Sequence, residues 1–255
     1  MLAWFPPRRP GTETGEFMKS FLLRPLAWLV AILLLPACWG AAVSFGKSIP
    51  AAFLAGGAGS YLLAPEGWAF IVGACAYAVW HRLRPPEFLY AFVHEFTHMA
   101  FALLTGEKVR SFEVNQGSGK VGLSGTNPLI TLAPYFFPLP TVAVLIPGAL
   151  LGWAFGYPQI GWATAFLSGL TLYLHVLMTF RALGASQPDI ARGGRIFSWA
   201  FIFFLGFVFI GGAALVAAGG WGVAAIYGVS IWRESWDAYA LLFGLMERIA
   251  WGLSN

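Results

Sequence analysis

The chain has 255 residues and a formal net charge of +4; 58% of its residues are hydrophobic and only 10% are charged. A soluble domain carries about a quarter charged residues, so this composition excludes an ordinary water-soluble globule and predicts a multi-pass membrane protein. We attribute the positive charge to cytoplasmic loops rather than to nucleic-acid binding, because such loops are commonly basic in membrane proteins. Two cysteines in apolar segments, Cys38 and Cys75, exclude a disulfide framework or a thiolate metal site.

The first part of the chain predicts a tail followed by two spans. Residues 1–20 contain no short apolar core with a cleavage site, so we expect a retained cytosolic N-terminal tail. Apolar runs at 26–45 and 68–80 predict membrane helices. The glycine-rich stretch between them is short, which favours a re-entrant or interfacial segment.

A further helix is predicted over 88–104, followed by the strongest β signal in the chain. Residues 109–123 combine alternation of apolar and polar residues with glycine-containing turns, which predicts two short strands joined by a turn at 116–119. We expect extended substrate to pair with the edge of this hairpin. The candidate substrate-binding residues are Val109, Ser111, Glu113 and Asn127.

Apolar sequence resumes after the hairpin and, apart from a polar break at residues 181–195, continues to about residue 218. The stretch Leu132–Pro140 contains three prolines, so it cannot form one regular helix, and we expect it to line or gate a cavity. Residues 219–255 mix aromatic and charged side chains at a spacing that suits an amphipathic helix in the membrane interface. The predicted fold is therefore an all-α polytopic membrane protein with five or six transmembrane helices and a small β-hairpin insertion. Its single membrane-embedded domain covers residues 21–218.

The segment "AFVHEFTHMAF", residues 91–101, places three ionisable residues in an apolar helix. Residues four apart share a helix face, so His94 and His98 can reach one ion while Glu95 stands beside them. Imidazole nitrogens suit zinc, and a catalytic zinc site keeps an open position for water. Glu95 is the candidate general base, because a carboxylate beside that water can take its proton. A packed polar cluster such as a proton path is the competing interpretation.

A catalytic zinc site requires a third protein ligand. Asp189 follows a proline at the start of a helix, where a carboxylate could also serve as a cap. We favour Asp189 as a ligand because no other acid lies next to a membrane segment downstream. Glu234 and His175 are the alternative third ligands.

His175 lies in the apolar run "LYLHVLMTF". A lone histidine in such a run can be an interhelical hydrogen-bond donor, a metal ligand, or a group that stabilises a tetrahedral oxyanion. We therefore include it as a second candidate catalytic residue beside Glu95.

These features together resemble the site-2 protease family of intramembrane zinc metallopeptidases. The similarity covers residues 86–197: the His94, Glu95 and His98 motif, a short β segment, and an aspartate opening a later helix. The family's second motif reads Asn, Pro, then Asp-Gly-Gly-Arg. Here "GGR" is present at residues 193–195, but Arg192 precedes it and Asp189 lies one helical turn earlier. No asparagine stands in the family's place before Asp189, which leaves His175 or Asn127 for its transition-state role. No PDZ-type domain is visible, so the match is to compact members.

The resemblance implies a zinc endopeptidase that cleaves membrane proteins or peptides within or near the lipid bilayer. The family's second motif alone would place the acidic ligand at residue 192, which is an arginine here, so our leading hypothesis takes His94, His98 and Asp189 as the ligands. We expect a multi-pass protein of the cell membrane, in a bacterium the inner membrane, with no nucleic-acid partner. Two other functions fit the residues. One is a catalytically inactive scaffold or chaperone-like binder of the same fold, and the other is a metal or proton transporter using His94, His98 and His175.

Overall fold

The computed structural model describes residues 13–54, 65–184, 187–192 and 194–254, which are almost entirely helical. The described elements are α1 (Glu13–Leu54), α2 (Pro65–Leu83), α3 (Glu87–Leu104), β1 (Val109–Asn115), β2 (Ser118–Leu123), α4 (Pro128–Phe136), α5 (Leu139–Phe155), α6 (Pro158–Gly184), α7 (Pro188–Arg192), α8 (Arg195–Gly206), a π-helical turn (Phe207–Gly211) and α9 (Gly212–Ser254). Residues 1–12 of the expected cytosolic tail, and residues 55–64 of the expected re-entrant segment, lie outside the described residues.

Within the described part of the chain, three stretches are long and apolar enough to cross a membrane: Pro25–Pro50, Pro158–Leu183 and Arg195–Ser254. Their outward surfaces carry large apolar side chains that would be costly to expose to water, which agrees with a membrane protein. The expected number of five or six spans is not confirmed, because the described residues contain three candidates, or four if α4 and α5 count as one. The helices α2 and α3 form as predicted but are not among the candidates, since charged and histidine side chains lower their hydropathy.

The proline-rich stretch breaks the helix as predicted. α4 ends at Phe136, α5 begins at Leu139, and the two helices are bent by 73° relative to each other. Phe137 at the break has an extended backbone, with φ −106° and ψ 110°. The pair is therefore either a broken span or a re-entrant loop, and α4 is free to lie against the face of α3 that carries the histidines.

The predicted β-hairpin is confirmed. β1 and β2 pair antiparallel, with Glu113 opposite Lys120 and Asn115 opposite Ser118. The turn needs a positive φ at its second residue, and Gly117 provides it with φ +77°. The hairpin packs against α3 alongside the two histidines.

The helices α1 and α9 pack against each other in antiparallel fashion. Ser44 Oγ donates to Tyr227 O at 3.3 Å, and Ser235 Oγ donates to Ala37 O at 3.5 Å. Residues 219–254, predicted to be an interfacial tail, lie within α9, which bends at Gly220 (φ +82°) and then runs along α1. Their placement in the membrane interface stays a prediction.

A buried apolar cluster fixes the short helix α7 beside α4. Ile190 of α7 packs with Leu132 and Phe136 of α4 and with Ile202 of α8. Ser198 Oγ also donates to Ile190 O at 3.0 Å, which ties α7 to α8. The residue next to Ile190, Asp189, is thereby held facing α3.

Candidate metal centre

The apolar helix α3 places His94 and His98 one turn apart on one face, as the spacing predicts. Their rings lie edge to face with centroids 4.8 Å apart, and their Nε2 atoms are separated by 3.2 Å. The side chains are only 12% and 9% exposed, respectively. The two imidazoles therefore converge on a single point, and most of their surface is packed against protein.

The start of α4 fixes the orientation of His98. Asn127 caps this helix, with its Oδ1 accepting the Ile130 N–H at 2.9 Å. The carbonyl oxygen of Ile130 lies 2.7 Å from His98 Nδ1. A carbonyl can only accept, so Nδ1 carries the proton and the Nε2 lone pair points toward His94. Asn127 thus acts through the helix start rather than at the cavity surface.

Asp189 enters the same point from α7. Its Oδ2 lies 3.7 Å from His94 Nε2 and 3.5 Å from His98 Nε2, and it accepts a hydrogen bond from Tyr135 Oη at 3.2 Å. Asp189 follows the proline that opens this helix and lies in its first turn, as predicted. α7 is, however, a separate five-residue helix, since α8 begins only at Arg195 after the break at Gly194.

The separations of the three candidate ligand atoms suit a tetrahedral metal site. With zinc bonds of about 2.0–2.1 Å, neighbouring ligand atoms of a tetrahedron are about 3.3 Å apart. The separations of 3.2, 3.5 and 3.7 Å among the three atoms are close to that edge length. The group formed by His94, His98 and Asp189 can therefore hold a metal ion.

The electrostatics of Asp189 also favour a bound cation. Burial alone would raise the pKa of this carboxyl, but the imidazoles of His94 and His98 outweigh burial and hold the pKa below its ordinary value. Asp189 is thus a carboxylate at neutral pH, and it is directed at the point where the two imidazoles converge.

A cavity of about 850 Å³ opens onto these three residues. Glu95 lines it, together with His94, His98 and Asp189 from the helices and residues 118–121 of β2. Gly119 lies directly against Glu95: a Cβ at this glycine would collide with Glu95 Cγ and come within 3.2 Å of Oε1. The absence of a side chain at residue 119 therefore gives the Glu95 carboxylate its place in the cavity.

The predicted substrate-binding residues of β1 lie on the outer strand. Val109, Ser111 and Glu113 do not line the cavity, whereas β2 does. The β2 strand uses one edge to pair with β1, and among the described residues its other edge has no strand partner. The edge next to the cavity therefore belongs to β2.

The two alternative third ligands lie elsewhere. Glu234 forms an ion pair with Lys47, 2.7 Å away, between α9 and α1. His175 is completely buried on α6 and does not line the cavity. Neither of its ring nitrogens has a hydrogen-bond partner among the described residues. Of the residues considered for the third position, only Asp189 groups with the two histidines.

Two contributors were missing from the sequence-based set. Tyr135 holds Asp189 through its hydroxyl and packs its ring edge to face on His94 with centroids 5.4 Å apart. Ile130 contributes only its backbone oxygen. The proline-rich stretch did indicate a role near a cavity, but nothing in the sequence singles out one tyrosine or one carbonyl group within it.

Compared with protein-family models, with curated proteins and with solved structures, the chain matches none.

Proposed function

We propose that this protein is an intramembrane zinc metalloprotease similar to site-2 proteases, which hydrolyses peptide bonds of membrane-associated substrates. The convergence of His94 Nε2, His98 Nε2 and Asp189 Oδ2 at tetrahedral separations, in a cavity that also contains Glu95, is the observation that carries the proposal. A metal or proton transporter could use the carboxylate, but it would have no need for a strand edge on the same cavity wall.

The donor set favours zinc in a catalytic rather than a structural site. Two imidazoles and one carboxylate are a usual catalytic set, and the large cavity leaves room for water and substrate at a fourth position. When bound there, zinc would lower the pKa of water towards neutrality and polarise the substrate carbonyl. In this proposal His94, His98 and Asp189 hold the ion, and Tyr135 orients the Asp189 carboxylate.

Glu95 has the proton-transfer role. Its carboxylate accepts a proton from the attacking water and then donates it to the leaving amine nitrogen as the peptide bond breaks. Contact with Gly119 restricts where this carboxylate can lie, because β2 closes off one side of it.

Substrate binds in this proposal as an extended strand along the free edge of β2. Backbone N–H and C=O groups of an extended peptide can pair with that edge, while a helical peptide has the same groups occupied. Since β2 lies on the cavity wall, the added strand would pass close to the metal-binding residues. Membrane proteins or their unwound segments are the substrates that this arrangement suits. The location we propose is the cell membrane, in a bacterium the inner membrane.

Metal analysis and chelation test the function directly. Purified protein should contain about one zinc per chain. It should cleave a membrane-anchored peptide library, lose that cleavage when zinc is removed by a chelator, and regain it when zinc is restored. The order of these steps separates the metal requirement from irreversible unfolding. Stoichiometric zinc without any cleavage would instead support the inactive binder, and protein that holds no zinc would contradict the proposal.

Substituting Gly119 with alanine should impair cleavage through Glu95. The new methyl group would push the Glu95 side chain aside, and misplacement of a catalytic group by 1 Å can cost about a hundredfold in rate. Zinc content should be unchanged, because residue 119 is not a ligand. The measurement is the cleavage rate at equal zinc occupancy.

Gly122→Ala is the matched control for this substitution. Gly122 is in the same strand and also has an ordinary negative φ, but its added Cβ would meet the hydroxyl of Ser111 rather than Glu95. Equal losses in the two variants would show that the hairpin tolerates no added methyl group, and would remove the specific link between Gly119 and Glu95.

A further inference from the structure

A second, smaller cavity of about 270 Å³ lies between α2, α3 and α6, beside the cavity that opens onto the metal-binding residues. Its depth is apolar, formed by Tyr77, Leu174, Leu177 and Met178. Charged and polar groups occur around it as well, including the exposed side chains of Glu87 and Arg181. An apolar interior with a few polar groups is the usual character of a ligand-binding pocket.

The two cavities adjoin. Tyr90, Gly117 and Gln187 line both of them. Tyr90 forms the partition, since its ring stacks against His94 with centroids 6.4 Å apart and its hydroxyl reaches Met178 O at 3.5 Å. A group held in the smaller cavity would therefore lie across the Tyr90 side chain from His94.

The distance between Tyr90 and His94 along α3 is comparable to the distance between nearby residues of a bound, extended peptide. Tyr90 precedes His94 by one helical turn, which corresponds to about 6 Å along the axis. Side chains of an extended peptide advance by about 3.3 Å per residue. A substrate residue within about two positions of the scissile bond could therefore insert its side chain into the smaller cavity.

The size and lining of the cavity select one kind of side chain. Its volume lies just below the range for whole small-molecule ligands, about 300–1,000 Å³, so one large side chain fills it better than a separate molecule does. A charged side chain would lose its hydration against Leu174 and Met178, which are 2% and 1% exposed. A phenylalanine, leucine or methionine side chain has no such hydration to lose, and its burial in the cavity is favourable.

We propose that this cavity is the specificity pocket of the protease, and that it accepts a large apolar side chain within two residues of the cleaved peptide bond. The inference depends on the proposed proteolytic function for its substrate class. The pocket itself can be tested by binding alone. Such a pocket would make cleavage depend on the substrate's amino-acid sequence as well as on an extended backbone.

Substituting Leu177 changes the pocket without touching the metal-binding residues. Leu177→Trp fills the cavity, and Leu177→Ala enlarges it. In the zinc-loaded protein, cleavage sites in a membrane-anchored peptide library should show Phe, Leu or Met at one position near the cut. Leu177→Trp should reduce cleavage of these sites by about tenfold or more relative to sites with alanine, and Leu177→Ala should shift the preference to tryptophan.

Leu167→Trp is the matched control, because Leu167 is an exposed residue of the same helix that lines neither cavity.

A binding measurement distinguishes failure of the pocket from failure of the proposed function. Two peptides that differ only by Phe or Ala at the selected position are titrated against the Glu95→Gln protein and against Glu95→Gln combined with Leu177→Trp. If the wild-type protein cleaves no peptide, no position is selected. The same binding comparison is then made with a set of extended peptides in which Phe or Ala stands at each position in turn. Tighter binding of a Phe peptide that is lost with Leu177→Trp supports the pocket, even if no cleavage occurs and proteolysis is abandoned.

Equal binding of the Phe and Ala peptides, or an undisturbed cleavage preference in Leu177→Trp, would overturn the inference. Release of a co-purified lipid by Leu177→Trp, with no change in peptide preference, would also overturn it and assign the cavity to an acyl chain.

Discussion

Glu95→Gln is expected to keep its zinc and to lose cleavage by about a hundredfold to ten-thousandfold. Glutamine preserves the length and shape of the side chain against Gly119, but its neutral amide cannot accept the proton of the attacking water. The ligand atoms of His94, His98 and Asp189 are untouched, so metal content should equal that of the wild type. The measurement is the single-turnover cleavage rate of a membrane-anchored peptide, with zinc quantified on the same sample.

Glu247→Gln provides the control for Glu95→Gln. It makes the same chemical change at an exposed position of α9, far along the chain from the site, and should leave the rate unchanged. Cleavage at the wild-type rate by Glu95→Gln would refute the base assignment while leaving the metal centre in place.

Asp189→Ala is expected to lower zinc affinity by more than a hundredfold. Removing a group that merely supports a metal ligand costs about ten- to a hundredfold in affinity, and loss of a ligand itself should exceed that range. The substitution also leaves the Tyr135 hydroxyl without its carboxylate acceptor. Competition with a chelator of known affinity would measure the change, and cleavage should fall together with zinc occupancy.

The chain contains one other aspartate, which makes a matched control for Asp189→Ala. Asp237 is exposed on α9, and Asp237→Ala should bind zinc as the wild type does. Wild-type affinity in Asp189→Ala would contradict the three-ligand site, whatever the effect on activity. Glu234→Ala is expected to have little effect as well, since Glu234 pairs with Lys47 at the α1–α9 contact.

Local sequence patterns predicted those parts of the site that depend on neighbours along the chain. The histidine pair follows from the period of one helix, and the hairpin follows from alternation and glycine within fifteen residues. The break between α4 and α5 follows from the prolines. Each of these features is decided by backbone geometry over one or two turns, so the sequence alone was sufficient.

The features that sequence reasoning did not provide all depend on contacts between distant segments. Asp189 was favoured over Glu234 only by its position near an apolar helix, whereas the structure separates the two acids through the packing of α7 on α4. The choice of β2 over β1 as the cavity-lining strand depends on which side of the hairpin contacts α3. Tyr135 and the Ile130 carbonyl belong to an apolar stretch in which no single residue is distinguished by pattern.

The opposed directions of α1 and α9 have a consequence for sidedness. Leu33 accepts a hydrogen bond from Tyr239, and Ala37 accepts one from Ser235, so later residues of α9 lie level with earlier residues of α1. If this part of α9 crosses the bilayer beside α1 instead of lying in the interface, the amino end of α1 and the carboxyl end of α9 must emerge into the same compartment. Reporter proteins attached at either end would then share one aqueous environment, and orienting one end orients the other.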